Sequence, residues 1–230
     1  MKKIAGLAIG ISVVIALVMT GTFAVFSDTE TADENTFIAG TLDLQVGSDD
    51  PCTESIAIGD DENLAPTGSD TVGPWLVKNI GSTTGDLSIS IGAIENYEND
   101  DQSAGCTDPE DDAGDTSCTA ANDQGELGSM LEVAFWMDVD KDNTWSSGDY
   151  YLKSDATKVS WSTGTTVPGD AYDDLDNYDS DSWADVQTSI AGNTDIGNFY
   201  IEYNWPDGGS SDNQAQTDCC IFDITFNLDQ

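Results

Sequence analysis

The sequence predicts an all-β fold, a jelly-roll-like antiparallel β-sandwich. Three observations carry that prediction. Runs that alternate apolar and polar residues recur along the chain, clusters of Gly, Asp, Ser and Asn separate them, and helical periodicity is scarce. Short strands punctuated by turn residues bury their apolar faces by packing as two sheets. With 230 residues, 38% hydrophobic content, six Trp, seven Tyr and seven Phe, the chain has enough apolar material for a sizeable core.

The chain opens MKKIAGLAIGISVVIALVMTGTFAV, two lysines followed by an uncharged run from Ile4 to Met19. That run is about 16 residues, within reach of a signal-peptide core and short for a spanning helix. Residues 1–25 therefore read as a signal peptide with a helical core, removed by a signal peptidase. An uncleaved anchor is the alternative. The small-residue rule places the cut after Ala24. No later run is apolar enough to span a bilayer, so removal of the leader leaves a secreted chain with no stable membrane anchor. Residues 26–36 then form an extended polar arm, and the sandwich occupies residues 37–230.

Thr41 to Val46 alternates cleanly and reads as the first strand. Trp75 to Ile80 follows Gly73-Pro74 and stops at Gly81, and Asp86 to Ile91 alternates next. Met130 to Val139 is a longer apolar run rich in β-formers. Asn198 to Trp205 alternates and ends at Pro206, and Cys220 to Leu228 closes the chain. One helix is expected between Tyr172 and Ile190, with Asp181-Ser182 capping a short segment through Trp183, Val186 and Ile190. Residues 98–128 read as an acidic insert loop, poorly packed apart from any disulfide.

Charge narrows the function classes. The chain carries 44 acids, 6 lysines and no His. Two of the lysines, Lys2 and Lys3, lie in the leader, which leaves Lys78, Lys141, Lys153 and Lys158. Nucleic acid and anionic membranes both need a basic surface, and this chain has none. So acidic a shell repels itself unless salt screens it or cations bridge it. It fits a halophilic solubility surface, and it also supplies ligands for calcium.

Export makes the five cysteines candidates for disulfides. Cys106 and Cys118 bracket a loop of acids, Gly and Ser that a local bond would staple. Cys52 can reach Cys219 or Cys220, tying the first strand region to the last and leaving one thiol over. Metal-thiolate binding is the alternative, although no CxxC spacing supports it.

The strongest local motif runs from Asp138 to Asp149. Asp138, Asp140, Asp142, Thr144, Ser146 and Asp149 fall at the first, third, fifth, seventh, ninth and twelfth places of a calcium loop. Ca²⁺ needs six to eight hard oxygens on a curved backbone, and alternate loop residues supply them. Asn143 stands where an EF-hand has Gly, and Asp149 replaces the long Glu. The flanks are strand-like, so this is a calcium loop in a β context, with a solvated acidic turn as the alternative. Enzymatic readings fare poorly. Without His there is no Ser-His-Asp or Cys-His arrangement and no HExxH zinc site, and no carboxylate pair stands out for a hydrolase.

The junction Gly21 to Val46, with Phe26-Ser27-Asp28-Thr29-Glu30-Thr31 and then Thr36 to Leu44, resembles the start of the TasA/camelysin family. VKNIGSTTGDLSISI (Val77 to Ile91) and the ending SSDNQAQTDCCIFDITFNLDQ (Ser210 to Gln230) extend the resemblance across most of the chain. It implies a SipW-type signal peptide cut after Val25, with Phe26 as the first mature residue. It further implies an extracellular filament or biofilm-matrix subunit, a homopolymer joined by donor-strand complementation. The arm, Phe26 to Thr31 at its head, would add to the sheet edge of the next subunit, and repeated head to tail this makes a fibre. Camelysin is described as a metalloprotease, an activity that a chain without imidazole does not inherit on this reading. A monomeric calcium-stabilised surface or adhesion protein is the alternative, and a secreted hydrolase the third.

Overall fold

The structure, a computed structural model, describes residues 40–48, 64–98, 105–161 and 164–230. The chain divides into two units, residues 1–39 and residues 40–230, and all the described residues belong to the second. The expected signal peptide, the expected arm with Phe26 to Thr31 at its head, and Cys52 lie outside the described residues. None of the helices described is long and apolar enough to cross a membrane.

Two antiparallel sheets form the body. The first has β1 (Leu44–Val46), β2 (Ser69–Asn79), β10 (Thr194–Asn204), β5 (Glu132–Asp138), β6 (Tyr150–Leu152) and β7 (Lys158–Ser160) in that spatial order, and β8 (Asp173–Asp174) also pairs with β5. The second has β12 (Ile224–Asp229), β3 (Gly85–Ile91) and β9 (Ser182–Ile190). It is prolonged by β11 (Cys219–Ile221) on β4 (Glu95–Tyr97), since Ile221 faces Glu95 just as Ile224 faces Ile91. Two short helices, α1 (Asp108–Ala113) and α2 (Leu127–Met130), stand between β4 and β5. The all-β sandwich expected from sequence is what forms.

The core lies between the sheets. Leu87, Ile89 and Ile91 of β3 and Trp183, Val186 and Ile190 of β9 face Val77, Val133, Phe135, Met137, Phe199 and Ile201. Aromatic pairs bridge the layers: Phe199 meets Phe226 edge-on at 5.1 Å, and Phe135 meets Tyr178 at 4.9 Å. The outer face of the first sheet is covered too. Ala134, Trp136, Trp145, Tyr151, Ala171 and Tyr200 form a second cluster, with Trp136 stacked on Tyr200 at 4.4 Å. A strand buried on both faces has no reason to alternate, which explains the continuous apolar run of β5.

The motif Val77 to Ile91 owes its form to a polar keystone. Asn79 is fully buried; its Nδ2 donates to Thr83 O at 2.9 Å and to Ile190 O and Ala191 O at 3.2 Å, and its Oδ1 accepts from Gly81 N–H at 3.0 Å. It thereby locks the β2–β3 turn to the β9–β10 turn. A Cβ on Gly81 would strike Thr41 O, because residues 41–43 hydrogen-bond across this turn.

Two expectations are corrected. Ser182–Ile190 is a strand, β9, and not a helix. Its buried residues sit three and four apart because its pairing with β3 slips twice, with Asp185 (φ 52°) and Ser189 (φ 59°) in the two slips. The amides these bulges release are taken by β3 side chains, Asp185 N–H by Ser88 Oγ and Ser189 N–H by Asp86 Oδ1. A twice-bulged strand thus imitates helical spacing. The only helical turn in that stretch is the 3-10 segment Leu175–Tyr178. The insert, expected to be loose, is packed over residues 105–128. There α1 docks on the 3-10 turn Gly209–Ala215, and Glu110, Asp115 and Leu127 are buried. Strand β2 also begins earlier than Pro74 suggests, because Gly73 (φ 120°) and Pro74 occupy a register shift opposite Tyr200, where a missing N–H costs no ladder bond.

Candidate metal centres

The loop from Asp138 to Asp149 leaves β5 and returns as β6. Its two ends are buried acids. Asp138 accepts the Lys141 N–H at 2.7 Å on Oδ1 and the Asn143 N–H at 2.9 Å on Oδ2. Asp149 accepts the Val139 N–H at 2.8 Å on Oδ1 and the Ser146 N–H at 2.6 Å on Oδ2. Lys141 and Asn143 both adopt φ 61°, so the chain coils tightly and turns these amides inward. From outside, Asn143 Oδ1 accepts the Tyr200 hydroxyl at 2.9 Å, while Trp145 packs edge-on against Trp136 at 5.4 Å.

Of the six residues the spacing selects, Asp138, Asp140 and Asp149 come together, an oxygen of each within 4.8 Å of the others. Ser146 Oγ donates to Asp140 Oδ2 at 3.2 Å. Asp142 and Thr144 instead bond each other, Thr144 N–H and Oγ1 donating to Asp142 Oδ1 at 2.8 and 2.6 Å on the exposed side. Burial pushes the Asp138 and Asp149 carboxyls up, and the amides aimed at them pull the other way.

A second cluster of acids joins segments far apart in sequence. Glu98 follows β4, Glu126 opens α2, and Asp218 precedes β11, and one carboxylate oxygen from each lies within 4.8 Å of the others. Asp218 Oδ2 accepts the N–H groups of Glu126 and Leu127 at 2.6 and 3.3 Å, so one oxygen caps α2. Its Oδ1, with Glu98 Oε2 and Glu126 Oε2, is shut off from solvent and has no hydrogen-bond partner. Burial, then the charge of Asp115 and of Glu126, pushes Glu98 up to about 7. Burial, then Asp115 and Glu110, does the same to Glu126, to about 7. Asp218 rises to about 8, through burial first and against the pull of the Glu126 amide. No lysine relieves them; among the described residues the one ion pair, Lys78 with Asp195, lies elsewhere.

The disulfide frames this cluster. Cys106 and Cys118 are bonded, with Cα atoms 5.0 Å apart, and close a ring around α1. Inside it, the Glu110 carboxylate accepts the Thr107 N–H at the start of α1 and also the Thr217 hydroxyl at 3.3 Å. Cys106 Sγ lies 3.3 Å from Glu98 Oε1 and 3.2 Å from Asp115 Oδ2. A disulfide sulfur carries no proton, so these are contacts that donate nothing to either acid. Cys219 lies opposite Tyr97 in β11, and Cys52, its expected mate, is outside the described residues. The Cys220 thiol points inward, donates to Asn96 Oδ1 at 2.7 Å, and is pushed up by burial.

Sequence reasoning missed Glu98, Glu126 and Asp218 because no spacing relates them. The nearest signal was their company, an acid just before Cys219 and others beside the ring of Cys106 and Cys118. Both clusters offer hard carboxylate oxygens, with no imidazole anywhere in the chain and the ring's sulfurs bonded to each other. Such donors suit Ca²⁺ or Mg²⁺, whereas a catalytic zinc takes nitrogen or thiolate ligands first. The residues present do not fit a zinc-peptidase centre.

No curated protein and no solved structure matches the chain. The family described as camelysin metallo-endopeptidase matches residues 1–230, in agreement with the resemblance carried by Gly21 to Val46 and by both later motifs. The chain belongs to the camelysin metallo-endopeptidase family.

Proposed function

We propose that this chain is a secreted structural subunit of an extracellular fibre, assembled by adding the arm of one copy to the sandwich edge of the next. The observation that carries this reading is the outer edge of β12. Among the described residues β12 pairs with β3 alone, and its inward residues Ile224, Phe226 and Leu228 are only half-buried, unlike those of β3. Leu42 and Ile221 are exposed large apolar residues of the same molecule. A strand laid along β12 would satisfy its open amides and carbonyls and complete the cover of Phe226. The polar arm Phe26 to Thr31 supplies such a strand, with Phe26 as its anchor.

The family name speaks of a metallo-endopeptidase, yet the absence of His and the all-oxygen character of both acid clusters favour a structural role for this chain. Calcium at Asp138, Asp140 and Asp149 fits the same reading, since an acidic subunit packs against copies of itself only when its charge is damped. Electron microscopy of the chain with calcium and with chelator, beside a version lacking residues 26–36, tests the proposal. Fibres are expected from the intact arm alone, and more of them with calcium. Polymers of the truncated version would refute strand addition. Single particles throughout would favour the calcium-stabilised surface protein.

A further inference from the structure

We propose that Glu98, Glu126 and Asp218 form a buried site for a divalent cation of the calcium class, tying the disulfide-closed insert to the segment that leads into the last strands. Acidic residues gathered at a surface need no ion. This cluster differs because Glu98 is fully buried and one carboxylate oxygen of each acid lies within 4.8 Å of the others. Glu98 Oε2, Glu126 Oε2 and Asp218 Oδ1 are each closed to water and without a hydrogen-bond partner. Buried polar oxygens are almost always hydrogen-bonded, and an unpaired carboxylate oxygen is among the costlier exceptions.

A proton answers this only in part. One protonated carboxyl donates along one direction and serves one neighbour, so satisfying all three acids by protonation takes at least two protons. A cation between the three carboxylates satisfies all of them together and opposes the added charge of Asp115 and Glu110. Three carboxylates, bidentate where space allows, approach the six to eight oxygens that Ca²⁺ accepts in flexible geometry. Mg²⁺ demands a stricter octahedron and keeps its own water, which a closed cage with three acids does not favour.

The architecture suits a staple. Asp218 is already oriented by the α2 amides on its other oxygen, and the ring of Cys106 and Cys118 holds α1 and Asp115 against Glu98. The site would therefore be assembled by the fold and not by any one loop. It is separate from the Asp138–Asp149 loop and does not rest on the fibre reading.

Equilibrium dialysis with radioactive calcium on the full chain tests it, comparing the parent, Glu98→Gln with Asp218→Asn, and Asp140→Ala with Asp142→Ala. The cage variant should bind one ion fewer than the parent, while the loop variant keeps that ion. Amides should leave the cage variant folded, since they remove repulsion at little change of shape; its melting temperature in chelator should equal or exceed the parent's. The single change Glu126→Gln, at a partly exposed position, should weaken the same ion at least tenfold. Cage variants that bind as many ions as the parent, or a loop variant that binds none, would overturn the site. Competition by Mg²⁺ at equal concentration would overturn its assignment to calcium.

Discussion

The loop between β5 and β6 and the insert between β4 and α2 are both dense in acids, yet they settle them in opposite ways. In the loop, the buried carboxylates of Asp138 and Asp149 have a backbone N–H on every oxygen. The coil of the chain supplies these donors, and Trp145, sunk among Trp136, Tyr151 and Trp161, holds the coil down. Where the insert meets the segment before β11, Glu98, Glu126 and Asp218 bring one oxygen each within 4.8 Å of the others, and each keeps an oxygen without a hydrogen-bond partner. Local backbone can satisfy acids that are close in sequence. Acids brought together from distant segments get no such help, and their charge has to be met by protons or by a cation.

The comparison breaks most readily at the anchor of each region. Trp145→Ala should cost about 3–5 kcal/mol through the cavity it opens in the outer aromatic cluster, and it should loosen the loop alone. Hydrogen exchange at Lys141, Asn143 and Ser146 should accelerate, with exchange around Glu126 and Leu127 unchanged. On the other side, Cys106→Ser with Cys118→Ser should cost about 2–4 kcal/mol through the freed ring of the unfolded chain. That loss should accelerate exchange at Glu126 and Leu127 and spare the loop. If either change loosens both regions equally, they are one cooperative unit and the contrast is false.

A smaller and sharper test is pH. Glu98 and Glu126 are raised to about 7 and Asp218 to about 8, above their ordinary 4.5 and 3.8. The folded cage thus holds protons that the unfolded chain releases, so its contribution to stability falls as pH climbs from about 4 to about 8 and is least favourable above that. In chelator, the melting temperature of the parent should drop by a few degrees between pH 5 and pH 8. Glu98→Gln with Asp218→Asn should flatten that drop, whereas Asp140→Ala with Asp142→Ala, at exposed positions of the loop, should leave it in place.

How much of this was legible depends on range. The strands whose residues face core on one side and solvent on the other announced themselves by alternation, as Leu87, Ile89 and Ile91 do in β3. The loop at Asp138 to Asp149 was visible because its alternating oxygen side chains share one short coil. β9 was misread because two bulges move its buried residues to helical spacing, and bulges are chosen by the partner strand. Short β4, β6, β7 and β8 carry too few residues to alternate, and β6 and most of β5 are covered on both faces.

By itself the sequence determined an acid-coated all-β chain, a leader-like start, a coil of alternating acids and a pair of cysteines able to close the insert. Tertiary structure alone decided that Asn79 locks two turns, that Trp145 roofs the first sheet, and that Glu98, Glu126 and Asp218 bring their carboxylates together. The reason is physical. Periodicity records which side of a single element meets the core, while desolvation and mutual charge depend on which elements meet, and that is settled only when the sheets pack.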